Sequence, residues 1–400
     1  VLGDPQKKYA TVHVGGTNGK GSTCAILSKT LELSGYKVGL YTSPPLEHFG
    51  ERIRINGVPM DKGAVPPILN NVLATAEKDP RAAEMTQFEI ITAIAFEHFA
   101  REEVDVAVVE VGMGGRLDST NVVAPVATAV TNVGLDHSEH LGESLGEIAL
   151  EKAGIAKRGV TMSTCAEGEA LAAIKAHCLK TGAPLKVLGQ DFSFAASDDW
   201  FTYNGADWSV AGLRLALPGL FQRKNLSLAA SVLETLVAKG WRLDPKVLVE
   251  AAASVRWPGR MESFGTGPVV MVDGAHNPHA AAALVESLVA IADKRIRAGG
   301  RLHLILGVLG DKDATAIVEK LSPLADRITL TRSTSVRALA PEELSEATSR
   351  YANAQLVADL PTALKSALDQ AGREDLIVCT GSLTIVAEAR AVLAQMGLRG

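Results

Sequence analysis

Apolar residues change their spacing from segment to segment along this chain, and the changes mark out elements. Residues 11–14 (TVHV) are rich in β-branched side chains and predict a short buried strand. Between residues 22 and 34 the apolar positions Ala25, Ile26, Leu27, Leu31 and Leu33 suit a helix that Gly35 ends. Residues 37–41 (KVGLY) predict a second strand. Strand, helix and strand within about 30 residues make the unit from which parallel sheets are built. Residues 51–58 alternate charged and apolar positions around Asn56-Gly57, as a hairpin or edge strand does. Residues 86–99 predict an amphipathic helix capped by Thr86, with Glu89 three residues on. Residues 104–111 (VDVAVVEV) are almost continuously apolar and predict a central parallel strand, and residues 126–132 another. A helix is expected over 148–155, ending near Gly154.

The pattern then shortens. Residues 184–218 alternate in small pieces between turn residues and predict an antiparallel meander appended to the parallel core. Helices follow at 224–239 and at 245–254, the latter opened by Pro245. Residues 257–260 (WPGR) break the periodicity, and a second strand–helix series begins. Its strands are predicted at 269–272, 302–307, 327–330, 354–357 and 376–379. The expected fold is α/β in two domains, 1–258 and 259–400: a mostly parallel phosphate-loop domain with a small antiparallel meander, then a smaller α/β domain.

Composition narrows the function classes. Hydrophobic residues make up 47% of the chain and aromatics 4%, so the cores are aliphatic. Lys+Arg 40 against Asp+Glu 45 gives a net charge of −5 without an arginine-rich arm, so nucleic acid is not an expected partner. Cys24, Cys165, Cys178 and Cys379 show no CxxC pairing and no metal spacing, which fits free thiols in a reducing cytoplasm. No apolar run reaches the roughly 18 to 20 residues of a membrane helix, and residues 1–9 lack the apolar stretch of a signal peptide. The chain opens without Met, a few residues before its first strand, which leaves room for an upstream segment.

Residues 12–23 (VHVGGTNGKGST) carry the chemistry most plainly. Glycines let backbone N–H groups approach phosphate oxygens, and a helix start presents its positive end. Lys20 adds a point charge, and Ser22 or Thr23 offers a hydroxyl to a magnesium ion. The standard phosphate-loop pattern is not met, because Gly21 follows Lys20 and Val14 stands where the first glycine belongs. On these residues alone a variant nucleotide loop and an ordinary strand–turn–helix both stay open. Further polar groups follow predicted strands: Ser43, Glu110 with the loop 112–121 behind it, Asp136 with His137, and Asp273 with His276. In a parallel sheet the first three converge on the edge that holds the glycine-rich loop. A carboxylate, an imidazole and a hydroxyl there suit a magnesium–nucleotide site. Plainer readings stand beside this one. Glu110 would pair with a buried cation, His137 would be a satisfied loop histidine, and Glu89 only a cap. Lys152 would be a helix-surface lysine, Arg260 a linker charge, and Asp273 and His276 part of a capped turn.

The ordered segments GGTNGKGST (15–23), YTSPPL (41–46), TQFE (86–89), VEVGMGGRLDSTN (109–121), TNVGLDH (131–137), EKAGI (151–155), FQRKN (221–225), WPGRME (257–262), DGAHNPHA (273–280) and GVLGDKD (307–313) together resemble the dihydrofolate synthase/folylpolyglutamate synthase family of the Mur-ligase superfamily. The resemblance implies an ATP-dependent amide ligase. A pterin carboxylate takes the γ-phosphoryl of ATP, and the amino group of L-glutamate attacks the acyl phosphate. Residues 1–258 then form the ATP-binding domain and 259–400 a Rossmann-like glutamate-ligase domain, with ATP between them. By motif position, Thr17, Asn18, Gly19, Lys20, Gly21 and Ser22 take the phosphates, and Asn225, Arg260 and Asp273 contact the nucleotide. One Mg2+ falls to Ser22 and Ser43, a second to Glu110 and His137. Lys152 matches a carbamylated lysine, and Lys20, Lys152 and His276 are the implied catalytic set, His276 on the glutamate side. The pterin is expected at Thr86, Gln87, Phe88, Glu89, Leu117, Asp118 and Ser119. Implied substrates are L-glutamate, dihydropteroate and reduced folates, with K+ or another monovalent cation as a further cofactor, in a cytoplasmic monomer. A sister ligase of cell-wall nucleotide precursors is the nearest alternative, and residues 86–89 with GMGGRLD favour the folate branch. A non-catalytic nucleotide module is the other alternative, and Glu110 with His137 argues against it. Pro45 stands where the family has His, and the family's upstream helices, which include part of the pteroate pocket, have no counterpart before residue 10.

Overall fold

The computed structural model describes residues 2–82, 84–136, 138–197, 200–296, 299–348 and 354–398. The chain divides into two compact units, Val1–Ala216 with Gln222–Arg256, and Leu217–Phe221 with Trp257–Gly400.

Among the described residues, the first unit is built on eight strands: β1 (Ala10–Gly15), β2 (Val38–Tyr41), β3 (Ile53–Ile55), β4 (Val58–Pro59), β5 (Val106–Glu110), β6 (Ala127–Val130), β7 (Met162–Thr164) and β8 (Leu185–Val187). They pair in the order β4-β3-β2-β5-β1-β6-β7-β8. The Asn56-Gly57 hairpin makes β3 and β4 an antiparallel edge, and the remaining pairs are parallel. β1 and β5 lie side by side near the middle. Their apolar side chains are buried on both faces, which is why the sequence reads there as a continuous apolar run. The register sets Val14 beside Glu110 and His13 beside Val109. Helices α1 (Lys20–Leu33), α2 (Val65–Ala76), α3 (Gln87–Arg101), α4 (Ser138–Leu141), α5 (Leu145–Ala153), α6 (Gly168–Thr181), α7 (Phe221–Ala238) and α8 (Pro245–Ser254) accompany these strands, although Phe221 itself groups with the second unit. α3 carries the predicted capping box, with Thr86 and Glu89 bonding reciprocally.

The segment 184–218 departs from the expected meander. Its first strand, β8, joins the large sheet parallel to β7. α6 supplies the crossover that a parallel partner requires. Only β9 (Ser193–Ala196), β10 (Phe201–Asn204) and β11 (Ser209–Leu213) form the small antiparallel sheet.

In the second unit, β12 (Glu262–Phe264), β13 (Val269–Val272), β14 (Leu302–Leu306), β15 (Arg327–Leu330), β16 (Ala354–Leu356) and β17 (Leu376–Thr380) pair in the order β12-β13-β17-β14-β15-β16. β12 is antiparallel and the rest are parallel. α9 (Pro278–Ile296), α10 (Ala314–Leu321), α11 (Pro341–Thr348), α12 (Leu360–Gln370) and α13 (Leu383–Gln395) accompany them. Leu284, Leu288, Leu304, Leu306, Ile328 and Leu376 are among the residues of its main aliphatic core. Cys24, Cys165, Cys178 and Cys379 are buried free thiols. Among the described residues no helix is long and apolar enough to cross a membrane.

Candidate active site

β1 ends at Gly15 and α1 begins at Lys20, so residues 16–19 form the turn that the sequence marks as glycine-rich. Gly16 has φ 133° and Gly19 φ 83°, both in the region that favours glycine. A Cβ on Gly16 would overlap the Thr131 hydroxyl, and one on Gly19 the Asn225 side-chain amide. The turn is laced to the end of β6. Thr17 N–H donates to Asn132 O at 2.9 Å, Asn18 N–H to Asn132 Oδ1 at 2.9 Å, and Thr131 Oγ1 to Asn18 O at 2.7 Å. Thr17 Oγ1 accepts from Gly134 N–H at 3.0 Å. Lys20 Nζ folds back onto Thr17 O at 3.1 Å.

Two further groups meet this turn from distant sequence. The first turn of α7 supplies Gln222 and Asn225, joined to each other at 2.8 Å. Gln222 Nε2 donates to Ser22 Oγ at 3.3 Å. From α5 comes Lys152, 4% exposed, whose Nζ donates to Gly16 O at 3.2 Å. Burial first, and the neighbouring Lys20 charge second, push the Lys152 pKa down to about 7, with Asp136 pulling the other way. The surface-lysine reading of Lys152 therefore does not hold.

Glu110 closes β5 and is 4% exposed. Its Oε2 accepts the Ser43 backbone N–H at 3.3 Å, so these two predicted residues are adjacent. The other predicted metal ligand, His137, lies outside the described residues. Among the described residues no group of three or more His, Cys, Asp and Glu side chains is placed to hold a metal. One carboxylate leaves most of a coordination shell to other oxygens. Magnesium, which binds through one or two carboxylates plus substrate phosphates and water, fits such a donor set.

The loop 112–121 packs on the end of α5. Arg116 pairs with Glu151 at 2.9 Å, Asn121 Nδ2 donates to Gly154 O at 3.1 Å, and a Cβ on Gly115 would press on Glu151 O. The loop's other side faces α3, where a Cβ on Gly112 would overlap the Phe88 ring. Ser119 Oγ lies 3.0 Å from Thr92 Oγ1, which in turn bonds Phe88 O at 2.8 Å. Phe88, Asp118 and Ser119 are thus brought together. Thr86 and Glu89 are occupied with each other at the exposed helix start, Glu89 Oε2 accepting Thr86 N–H at 2.7 Å, and Gln87 is exposed beside them. Leu117 is 79% and Met113 45% exposed, an apolar pair on one loop.

In the second unit, Asp273 Oδ2 accepts Met261 N–H at 2.9 Å and Oδ1 accepts Ala275 N–H at 2.8 Å. Burial pushes the Asp273 carboxyl above its usual range, opposed by the Arg260 guanidinium beside it and by these two N–H groups. His276 Nδ1 donates to Gly274 O at 2.7 Å, which turns its Nε2 outward from that bond. The sequence pattern marks no role for Gln222, Thr131 or Asn132. FQRKN and TNVGLDH contain them, but an ordinary polar residue has no local mark until folding brings it to the loop.

A phosphate-loop parallel sheet with an acidic strand end and a buried lysine, joined to a second α/β unit, defines a nucleotide-using ligase of the Mur type. The Mur ligase middle domain matches residues 14–233, and the Mur ligase, glutamate ligase domain matches residues 259–383. The folylpolyglutamate synthase of Lacticaseibacillus casei is 34% identical over 98% of this chain and 92% of its own length. The dihydrofolate synthase/folylpolyglutamate synthase of Bacillus subtilis is 33% identical over 97% of this chain and 91% of its own. The Mycobacterium tuberculosis folylpolyglutamate synthase complexed with ADP superposes with a TM-score of 0.91 at 31% identity, covering 98% of this chain and 92% of that one. E. coli FolC in complex with DHPP and ADP superposes with a TM-score of 0.90 at 28% identity, covering 99% of this chain and 92% of that one. The chain belongs to the Mur ligase family, as an ATP-dependent ligase of the dihydrofolate synthase/folylpolyglutamate synthase kind.

Proposed function

We propose that this protein joins L-glutamate to dihydropteroate and to the γ-carboxylate of reduced folates, with ATP as the phosphoryl donor. The observation that carries the reading is the meeting of Lys152, the loop 16–22 and the α7 pair Gln222 and Asn225 around one glycine-rich turn. In the first step a substrate carboxylate oxygen bonds to the γ-phosphorus and ADP leaves. In the second the glutamate amine bonds to the acyl carbon, loses a proton, and phosphate leaves. The Thr17 and Asn18 N–H groups are given to Asn132, so the backbone N–H groups at the start of α1, with Lys20, would hold the phosphates, as donors held in place before charge develops. Ser22, Ser43, Glu110 and His137 would hold magnesium, which supplies charge neutralisation between the two anions. Arg260 and Asp273 would contact the nucleotide, and His276 the glutamate side. The exposed Met113 and Leu117, with Phe88 and Asp118 behind them, would receive the pterin.

The test is phosphate release with ATP, Mg2+, L-glutamate and either dihydropteroate or tetrahydrofolate. Release with at least one pterin is expected, and a mass spectrum of the products gives the glutamate chain length. Release with neither would overturn the folate assignment, and release with a UDP-linked cell-wall precursor would transfer it to the sister ligases.

A further inference from the structure

Asp118 is held from inside the protein by a buried relay that the chemistry above does not use. His13 lies in the middle of β1, between Val109 of β5 and Thr128 of β6, and is fully buried. Its Nε2 is 2.8 Å from the Oγ1 of Thr120, itself fully buried. The Thr120 hydroxyl bonds Asp118 Oδ1, which also accepts Thr120 N–H at 3.0 Å. Asp118 Oδ2 accepts Met113 N–H at 2.9 Å.

The directions of these bonds are forced. A carboxylate only accepts, so the one hydroxyl hydrogen of Thr120 goes to Asp118. The contact to His13 must then be an imidazole N–H donating to the Thr120 oxygen. His13 is the neutral Nε2–H tautomer, and its Nδ1 is buried without a hydrogen-bond partner. Burial, reinforced by Lys157, depresses the imidazole pKa to about 3, so the ring stays neutral near pH 7. A buried nitrogen with no partner is a cost that a valine at this strand position would not carry. β1 also runs on from His13 directly into the turn 16–19.

We infer that His13 is a positioning residue for the pterin-side loop: through Thr120 it fixes both carboxylate oxygens of Asp118 and, through Met113, the backbone of residues 112–118 relative to the strand that ends in the phosphate loop. The inference rests on the folate-ligase reading proposed above. His13→Leu removes the donor, Thr120→Val removes the middle hydroxyl at constant shape, and His13→Gln keeps an N–H at the Nε2 position. In the Leu and Val variants the KM for dihydropteroate should rise about tenfold, the worth of one lost hydrogen bond, with the KM for ATP unchanged. Hydrogen exchange of residues 112–118 should accelerate in the same two variants, and His13→Gln should return both readouts to the parent values. An unchanged pterin KM in the folded Leu and Val variants, equal rises in both KM values, or no return with Gln would overturn the inference. A parent chain inactive with every pterin overturns the folate reading instead, and hydrogen exchange then decides the relay alone. If His13→Leu does not fold, Thr120→Val carries the test.

Discussion

Lys152 shows how much one side chain's surroundings change its chemistry. On a helix surface it would be a permanent cation. Buried against Gly16 O and beside Lys20, its pKa falls to about 7, and a large share is free amine at neutral pH. A free amine adds to carbon dioxide: the N–C bond forms, one proton leaves, and a neutral group becomes an anion. That is the chemistry a carbamylated lysine requires. The sign of the pH effect follows, because protonation below about pH 7 withdraws the nucleophile. At fixed dissolved CO2, a CO2-depleted protein should regain activity faster at pH 8 than at pH 6. Lys152→Ala should impair acyl-phosphate formation, followed as ADP release before glutamate is added, and should show no CO2 response. Unchanged turnover in that variant would remove Lys152 from the mechanism.

Among elements, the loop between β1 and α1 is the one whose geometry tolerates least. Gly16 needs φ 133° and has Thr131 where its Cβ would go. Gly35, after α1, has φ 90° and nothing within 4 Å. Both positions strain an alanine, but only one also collides. Gly16→Ala should cost about 1–3 kcal/mol of stability and weaken ADP binding at least about tenfold. Gly35→Ala should cost stability alone. Thermal melting with and without ADP separates the two, and unaltered ADP affinity in Gly16→Ala would contradict the role of the turn. This loop was legible in the sequence because glycine, lysine and hydroxyl residues are chemically distinctive. Glu110 was legible as a charge in an apolar strand, and α3 through its capping box. Other elements were not. α2 buries only Ile68 and Val72, too sparse a stripe to reveal a helix. β7 is three residues long. β8 read as part of the meander, because local alternation says nothing about which strand will be its neighbour. Gln222 and Ser22 meet across 200 positions of sequence, and no local pattern marks that contact.

For the whole molecule, the chain does not visit its two units once each. Residues Leu217–Phe221 belong to the second unit, although the residues on both sides belong to the first. Leu220 N–H donates to Ser287 Oγ at 3.0 Å. Phe221 packs on the core that contains Met261, Leu284 and Leu288. Gly219, at φ 107°, allows the tight approach to Phe221 and Met261. Phe221→Ala should therefore lower the stability of the second unit by about 1–3 kcal/mol, since it is only partly buried. Calorimetry would read this as a lowered transition, and an unshifted one would show that the five-residue visit contributes nothing.

That visit also limits how such a gene can be shuffled. A single crossover at codon 257 would separate most of the second unit but leave residues 217–221 with the other parent. The new Ser287 and its aliphatic neighbours would then face a leucine–phenylalanine segment of foreign ancestry. Faithful exchange of this half requires two crossovers close to a third, so the halves are expected to be inherited together more often than their separate cores would suggest.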